Sequence, residues 1–228
     1  MPQRDKSRPP RPDGAEPRNS LTPANWIEAA MELLIDHGID AVRVDVLARS
    51  IGVTRGSFYW HFKDRDELLK SLLQAWRDAA TEQIIQRFDN AHSDPRKLVK
   101  ELISLPFRGQ RAHRAASIEL AIRGWARRDA MARQAVDEVD ERRISYHAQV
   151  FSALGFSIAE ARARAFTLYA HEVAESLLSN QGTETQKIDR RALLEQLIVL
   201  PLPESKTPRH QAANAPLGPN GSKARKSV

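Results

Sequence analysis

The chain of 228 residues has no cysteine. That excludes disulfides, thiol nucleophiles and zinc sites built on thiolate ligands. No apolar run approaches the length of a membrane span, so no membrane partner is expected. The first residues are polar and Pro-rich and lack the apolar core of a secretory signal, which makes a cytoplasmic location the expectation. Runs of β-branched residues are few, while Ala, Leu and Arg abound, a balance that points to an all-α fold. No nucleophile elbow, phosphate-cradling loop or paired metal motif occurs, so neither an enzyme nor a cofactor is expected. His113, His147 and His171 lie on three separate segments, without the close pairing of a metal site, and no metal is expected.

What is present begins with charge. The net charge is +6, but it sits at the ends. Residues 1–20 carry five Arg or Lys against three Asp or Glu, and residues 204–228 carry five against one. Both tails lack apolar periodicity and are expected to be disordered, the first as a basic arm that reaches DNA or as a solvated tail. Within the neutral body, 21–42 holds Glu28, Glu32, Asp36 and Asp40 with no Lys or Arg, whereas 43–65 holds five basic residues against Asp45 and Asp64. Such polarity inside one small unit suits a DNA-facing surface with an acidic back.

Apolar spacing predicts about nine helices and no strand. Thr22-Pro23 caps a first helix with Trp26, Ala30, Leu33, Leu34 and His37 on one face, stopped by Gly38. Val44, Leu47, Ala48 and Ile51 give a second helix, which Gly52 ends. Thr54 is placed to cap a third, with Phe58 and Phe62 on one face. Asp64 and Glu67 form a capping pair for a long helix through Leu68, Leu69, Leu72, Leu73, Trp76, Ala80, Ile84 and Phe88 to Asn90. Further helices follow Asp94-Pro95, cover the segment 112–127, and open at Asp129, at Ser157 with Glu160, and at Asp189. The domain reading is a helix-turn-helix unit at 21–68, its linking helix to about 90, and a ligand-binding and dimerisation domain at 90–203.

Two short helices joined by a Gly-containing turn are the unit whose second helix enters the major groove. The run Gly-Val-Thr-Arg-Gly-Ser-Phe-Tyr-Trp-His-Phe at 52–62, followed by Asp64-Arg65-Asp66-Glu67-Leu68-Leu69, resembles the DNA-binding signature of TetR/AcrR-family transcriptional regulators. The resemblance covers about a quarter of the chain, from Thr22 to Trp76. It fixes a turn, a recognition helix and the next helix start together.

Base reading needs side chains at the start of the recognition helix, here Thr54, Arg55, Gly56 and Ser57. Arg55 suits two hydrogen bonds to guanine, and Gly56 permits close approach. Trp60 has two readings: contact with a sugar or thymine methyl, or packing against the first helix. The resemblance implies that Tyr59 and His61 grip the DNA backbone, with Lys63 and Arg65 beside the next helix start as further phosphate contacts. Read singly, Tyr59 is also a packed aromatic and His61 a surface histidine. Arg43 stands where relatives carry Thr or Ser; it can neutralise a phosphate but cannot cap the second helix.

The resemblance also implies a homodimer on double-stranded DNA, formed by helices from Ser157 to Asn180 and from Asp189 to Leu200, and a pocket for an unknown small-molecule ligand. Trp125, Tyr146, His147, Tyr169 and His171 are the pocket candidates, each with apolar area and a polar handle; core or interface positions are their alternative reading. A repressor released from a palindromic operator by its ligand is the leading expectation. An activator, a ligand-independent DNA binder, and a helical dimeric interaction protein without DNA binding are the alternatives.

Overall fold

The computed structural model describes residues 21–82, 84–86, 94–178 and 180–201. The expectations for the two tails, and for the end of the long helix near Phe88 and Asn90, lie outside these residues. The described residues contain nine α-helices and no strand. They are α1 (Pro23–His37), α2 (Val44–Ser50), α3 (Arg55–Phe58), α4 (Arg65–Arg77), α5 (Pro95–Ile103), α6 (Gln110–Ala126), α7 (Ala130–Ala153), α8 (Ile158–Leu177) and α9 (Glu184–Ile198).

The first four helices pack around Trp26 and Phe58. Trp26, Ala30, Met31 and Leu34 form the buried face of α1. His37, expected on that face, is exposed, and Met31 serves in its place. The Trp26 ring meets Phe58 edge-on at 5.3 Å, and Phe62 stacks on Phe58 at 5.5 Å. These contacts hold α3, only four residues long, which has no helical stability of its own. The same core takes in Trp76 from α4, Ile122 and Trp125 from α6, and Ala132 and Val139 from α7. A second core joins α5 to the distal half of α7 and to α8, with Leu102, Ile103, Phe151, Ala165 and Leu168 fully enclosed.

Local capping follows the sequence at most helix starts. The Asp64 carboxylate accepts the Glu67 N–H at 2.9 Å, and the Glu67 carboxylate takes the Lys63 N–H at 2.6 Å. Asp94 and Asp129 cap α5 and α7 in the same way. Thr54 departs from its expected role: its backbone carbonyl, not its hydroxyl, accepts the Ser57 N–H at 3.1 Å. The final helix starts at Glu184 rather than Asp189. Thr183 and Gln186 cap it reciprocally, the Thr183 N–H donating to Gln186 Oε1 at 2.8 Å and the Gln186 N–H to Thr183 Oγ1 at 3.3 Å.

The expected rod after Asp64 is interrupted. α4 runs into a π-helical turn, Asp78–Glu82. Thr81 within this turn and Ile85 beyond it are buried, whereas Ala80 and Ile84, the next positions in α-helical spacing, are only partly covered. Arg143 from α7 donates to the Ala80 carbonyl at 3.2 Å, and Thr81 Oγ1 donates to the Arg77 carbonyl at 2.5 Å.

Candidate nucleic-acid interface and ligand chamber

The turn after α2 is closed by two hydrogen bonds. Val53 donates to the Ala48 carbonyl at 2.9 Å and Gly52 to Arg49 at 3.2 Å. This pattern needs a left-handed residue, and Gly52 supplies it at φ +71°. The chain leaves the turn with Phe58 pointing into the core, so the residues around it point out. Arg55 and Gly56 are exposed, Ser57 is half-buried, Tyr59 is 55% exposed and Trp60 is 88% exposed. Trp60 therefore does not pack on α1, which removes one of its two readings. Tyr59 touches Phe58 edge-on at 5.3 Å yet keeps most of its surface open. His61 is half-buried and Lys63 exposed.

A Cβ added at Gly56 would meet only Thr54 Oγ1, at 3.7 Å. The fold thus makes no steric demand for glycine there.

The basic residues flanking this face are held in place. Arg43 donates to both Asp45 carboxylate oxygens, at 3.2 and 3.1 Å, and Arg49 shares the same carboxylate at 3.0 Å. The hydrogen bond from Arg43 keeps the Asp45 carboxyl below its ordinary pKa. Arg65 reaches back 23 and 26 residues, Nε donating to the Val42 carbonyl at 2.5 Å and Nη2 to Ile39 at 2.8 Å. It ties the start of α4 to the link between α1 and α2, leaving only part of its donor set for an outside partner.

Residues 27–72 match the family model described as bacterial regulatory proteins, tetR family. They are a TetR-family helix-turn-helix domain. The regulator SrpR of Pseudomonas putida is 43% identical over 47 residues, 21% of this chain and 22% of that protein. The class A tetracycline repressor protein from transposon 1721 in Escherichia coli is 38% identical over 55 residues, 24% of this chain and 26% of that protein. The chain thus spans between about a fifth and just over a third of the length of the curated relatives it matches. The fold extends further. A TetR-family regulator structure from Rhodococcus sp. superposes with a TM-score of 0.64 at 16% identity, over 78% of this chain and 98% of that one. These relatives are named as regulators of transcription, not as enzymes.

Beyond the TetR-family domain, a cavity of about 630 Å³ lies between the π turn, α5, α6, α7 and α8. Three helices present regularly spaced residues to it: Ala112, Ala115, Ala116 and Glu119 from α6, Arg143, Tyr146 and His147 from α7, and Tyr169, Glu172, Val173 and Ser176 from α8. Of the sequence-derived pocket residues, Tyr146, His147 and Tyr169 line it. Trp125 does not; it is buried in the first core. His171 also lies off the wall, half-buried with Nε2 unpartnered.

Composition and motif gave no notice of Glu119, Arg143 and Glu172. The recurrence at i, i+3 and i+4 on three helices, extended to i+7 on α6 and α8, is the signal that could have found them.

A charged lattice supports one side of the chamber. Arg143 Nη1 donates to Glu119 Oε2 at 2.9 Å and to the Tyr169 hydroxyl at 3.4 Å. Arg123 bridges Glu119 and Asp140, with contacts at 2.8 and 2.5 Å, and the Tyr169 hydroxyl donates to Asp140. Burial raises the Tyr169 pKa, so the phenol remains a neutral donor. Burial, with Arg143 beside it, pushes His147 down to about 3, and the imidazole is neutral. Burial pushes Glu172 up to about 8, opposed by Arg143 and reinforced by Glu119. Among the described residues, no group of three His, Asp or Glu gathers as a metal site.

Proposed function

We propose that the chain is a homodimeric DNA-binding transcriptional repressor, released from a palindromic operator by a small ligand. The observation that carries the DNA-binding part is the exposed face of Arg55, Gly56, Tyr59 and Trp60 anchored by a fully buried Phe58. Two large aromatics with most of their surface open, beside basic side chains, suit a groove. Arg55 and Ser57 read base edges with Thr54 and Trp60, Gly56 lets the backbone approach, and Tyr59, His61, Lys63 and Arg43 hold phosphates. Arg65 contributes mainly by setting the position of α4, with its remaining donors toward phosphate. The name of the tetracycline repressor protein supports repression as the output.

Dimerisation is supported by apolar residues that the single chain leaves open. Ile158, Phe166 and Leu177 on α8, and Ile188, Leu193 and Leu197 on α9, are each more than half exposed. So many exposed large apolar side chains on two successive helices suit a self-complementary interface. Two recognition helices then read two half-sites one DNA turn apart.

The chamber supports the ligand reading, because its wall includes the π turn of the helix that carries the DNA-binding unit. A ligand that fits one α4 position better than another shifts the two populations by that difference in affinity. Selection of bound genomic fragments by the purified chain tests the reading. Enrichment of one inverted repeat is expected, and a library without any enriched site would sink it.

A further inference from the structure

Glu172 is 9% exposed and lines the chamber, yet its Oε1 has no hydrogen-bond partner. The nearest candidate, His147 Nε2, is 3.6 Å away, beyond hydrogen-bond reach, and His147 Nδ1 is likewise buried without a partner. A buried polar group left unsatisfied costs free energy unless something completes it. The other polar groups of the chamber wall are Thr81 from the π turn, Arg108 and Arg111 toward the rim, Glu119 from α6, Arg143, Tyr146 and His147 from α7, and Tyr169 and Ser176 from the helix of Glu172 itself. None of them hydrogen-bonds Glu172 Oε1. The Arg143 guanidinium is engaged by Glu119, Tyr169 and the Ala80 carbonyl. The Ser176 hydroxyl donates to the Glu172 backbone carbonyl at 2.9 Å, not to its carboxylate.

Charge then decides what is missing. Glu119 and Arg143 cancel each other, His147 and Tyr169 are neutral, and Arg108 near the rim pairs with Glu101. With Glu172 ionised the buried inner wall carries one negative charge in excess; Arg111, the remaining cation of the lining, is exposed at the rim. An anion there would add to it, and a neutral molecule would leave it. Much of the remaining lining is apolar, with Ile84, Ile85, Leu102, Leu105, Ala115 and Val173 beside the polar Thr81 and Tyr146.

We propose that the chamber takes an organic cation with an apolar body, its protonated amine paired with the Glu172 carboxylate. This rests on the reading of the chain as a ligand-released regulator, and it names the ligand's chemical class. A charge-assisted hydrogen bond in a dry site is worth roughly tenfold or more in affinity over a neutral group of the same shape.

The test uses the full chain and three probes of one shape: 4-phenylbutylamine, 4-phenylbutanol and 4-phenylbutyrate, each titrated calorimetrically at pH 7. The amine is expected to bind at least about tenfold more tightly than the other two. It is also expected to release close to one proton, read from two buffers of different ionisation enthalpy, as Glu172 ionises on pairing. Glu172→Gln is expected to abolish the amine's advantage. Equal or tighter binding of the alcohol, or of the carboxylate through Arg108 and Arg111 at the rim, would overturn the proposal; so would an amine preference that survives in E172Q. The probe comparison on the unaltered chain stands alone if E172Q does not fold. Operator affinity measured beside it separates the two readings. Operator binding without amine preference refutes the ligand class alone. Amine preference without any operator binding supports the ligand class and refutes the regulator.

Discussion

Phe58 and Trp60 are two residues apart, and the structure assigns them opposite work. Phe58 is fully enclosed between Trp26 and Phe62, with ring centroids at 5.3 and 5.5 Å. Phe58→Ala removes that packing and leaves a cavity, a change that costs roughly 3–5 kcal/mol. For a chain of this size the melting temperature should fall by roughly 6–20 °C. Trp60 is 88% exposed, and Trp60→Ala should cost no more than about 0.5 kcal/mol, or roughly 2 °C. Its effect belongs to DNA. Loss of one base-edge contact weakens binding by roughly 1–3 kcal/mol, or about 5- to 150-fold. Thermal melting by circular dichroism and fluorescence anisotropy on the selected operator measure the two quantities on the same preparations. A Trp60→Ala chain that melts many degrees low would place the indole inside the fold. One that melts normally and binds the operator at full strength would remove Trp60 from the interface.

Gly56→Ala should leave the melting temperature unchanged or slightly raised, since its Cβ has room beside Thr54, while operator affinity falls; unchanged affinity would deny close backbone approach. Asp45→Asn frees Arg43 and Arg49 from a shared carboxylate. Stability should barely move because the pairs are exposed, while a plot of log affinity against log salt should steepen by about 0.9 per phosphate gained. An unaltered slope would separate both arginines from the DNA. Glu172 and His147 act on stability in opposite pH windows. Glu172, raised to about 8, costs stability progressively as pH rises from its unfolded value through 8, and His147, lowered to about 3, does so as pH falls below about 6.5. In urea unfolding, Glu172→Gln should flatten the alkaline limb and His147→Gln the acid limb; unchanged profiles would mean that neither group is buried as described. Leu193→Asp with Leu197→Asp should yield monomers in analytical ultracentrifugation, and an intact dimer would move the interface elsewhere.

The elements that local chemistry determines were legible in the sequence: the Gly52 turn, the Asp64, Asp94 and Asp129 caps, and the core positions of Trp26, Phe58 and Phe62. The final helix start was missed: Thr183 and Gln186 cap it, six residues before the expected Asp189. Long-range partners left no local mark. Arg65 is expected at phosphate from the resemblance and its place at the start of α4; its bonds to the carbonyls of Ile39 and Val42, far back in the chain, could not be read from local sequence. Trp125 and His171 resembled Tyr146 and His147 in type; only helix packing puts one pair off the chamber and the other on it. The π turn escaped notice because apolar spacing assumes an unbroken α period.

That turn has a consequence for the register of α4. From Trp76 the buried side passes to Thr81, five residues on, where a regular α-helix would have rotated by about 140° past a full turn. The helix therefore carries one surplus residue, which lets its two ends belong to two cores of different phase. It also brings Ala80 and Ile84 to the chamber, Ala80 while still packed against the first core and Ile84 against the second. Removing one residue from Asp78–Glu82 would leave the DNA-binding unit and the chamber joined by a regular helix but turned by about 100° and shifted by about 1.5 Å. Such a chain is expected to keep its helicity by circular dichroism and lose its operator. Retained operator affinity would show that the two units need no fixed phase.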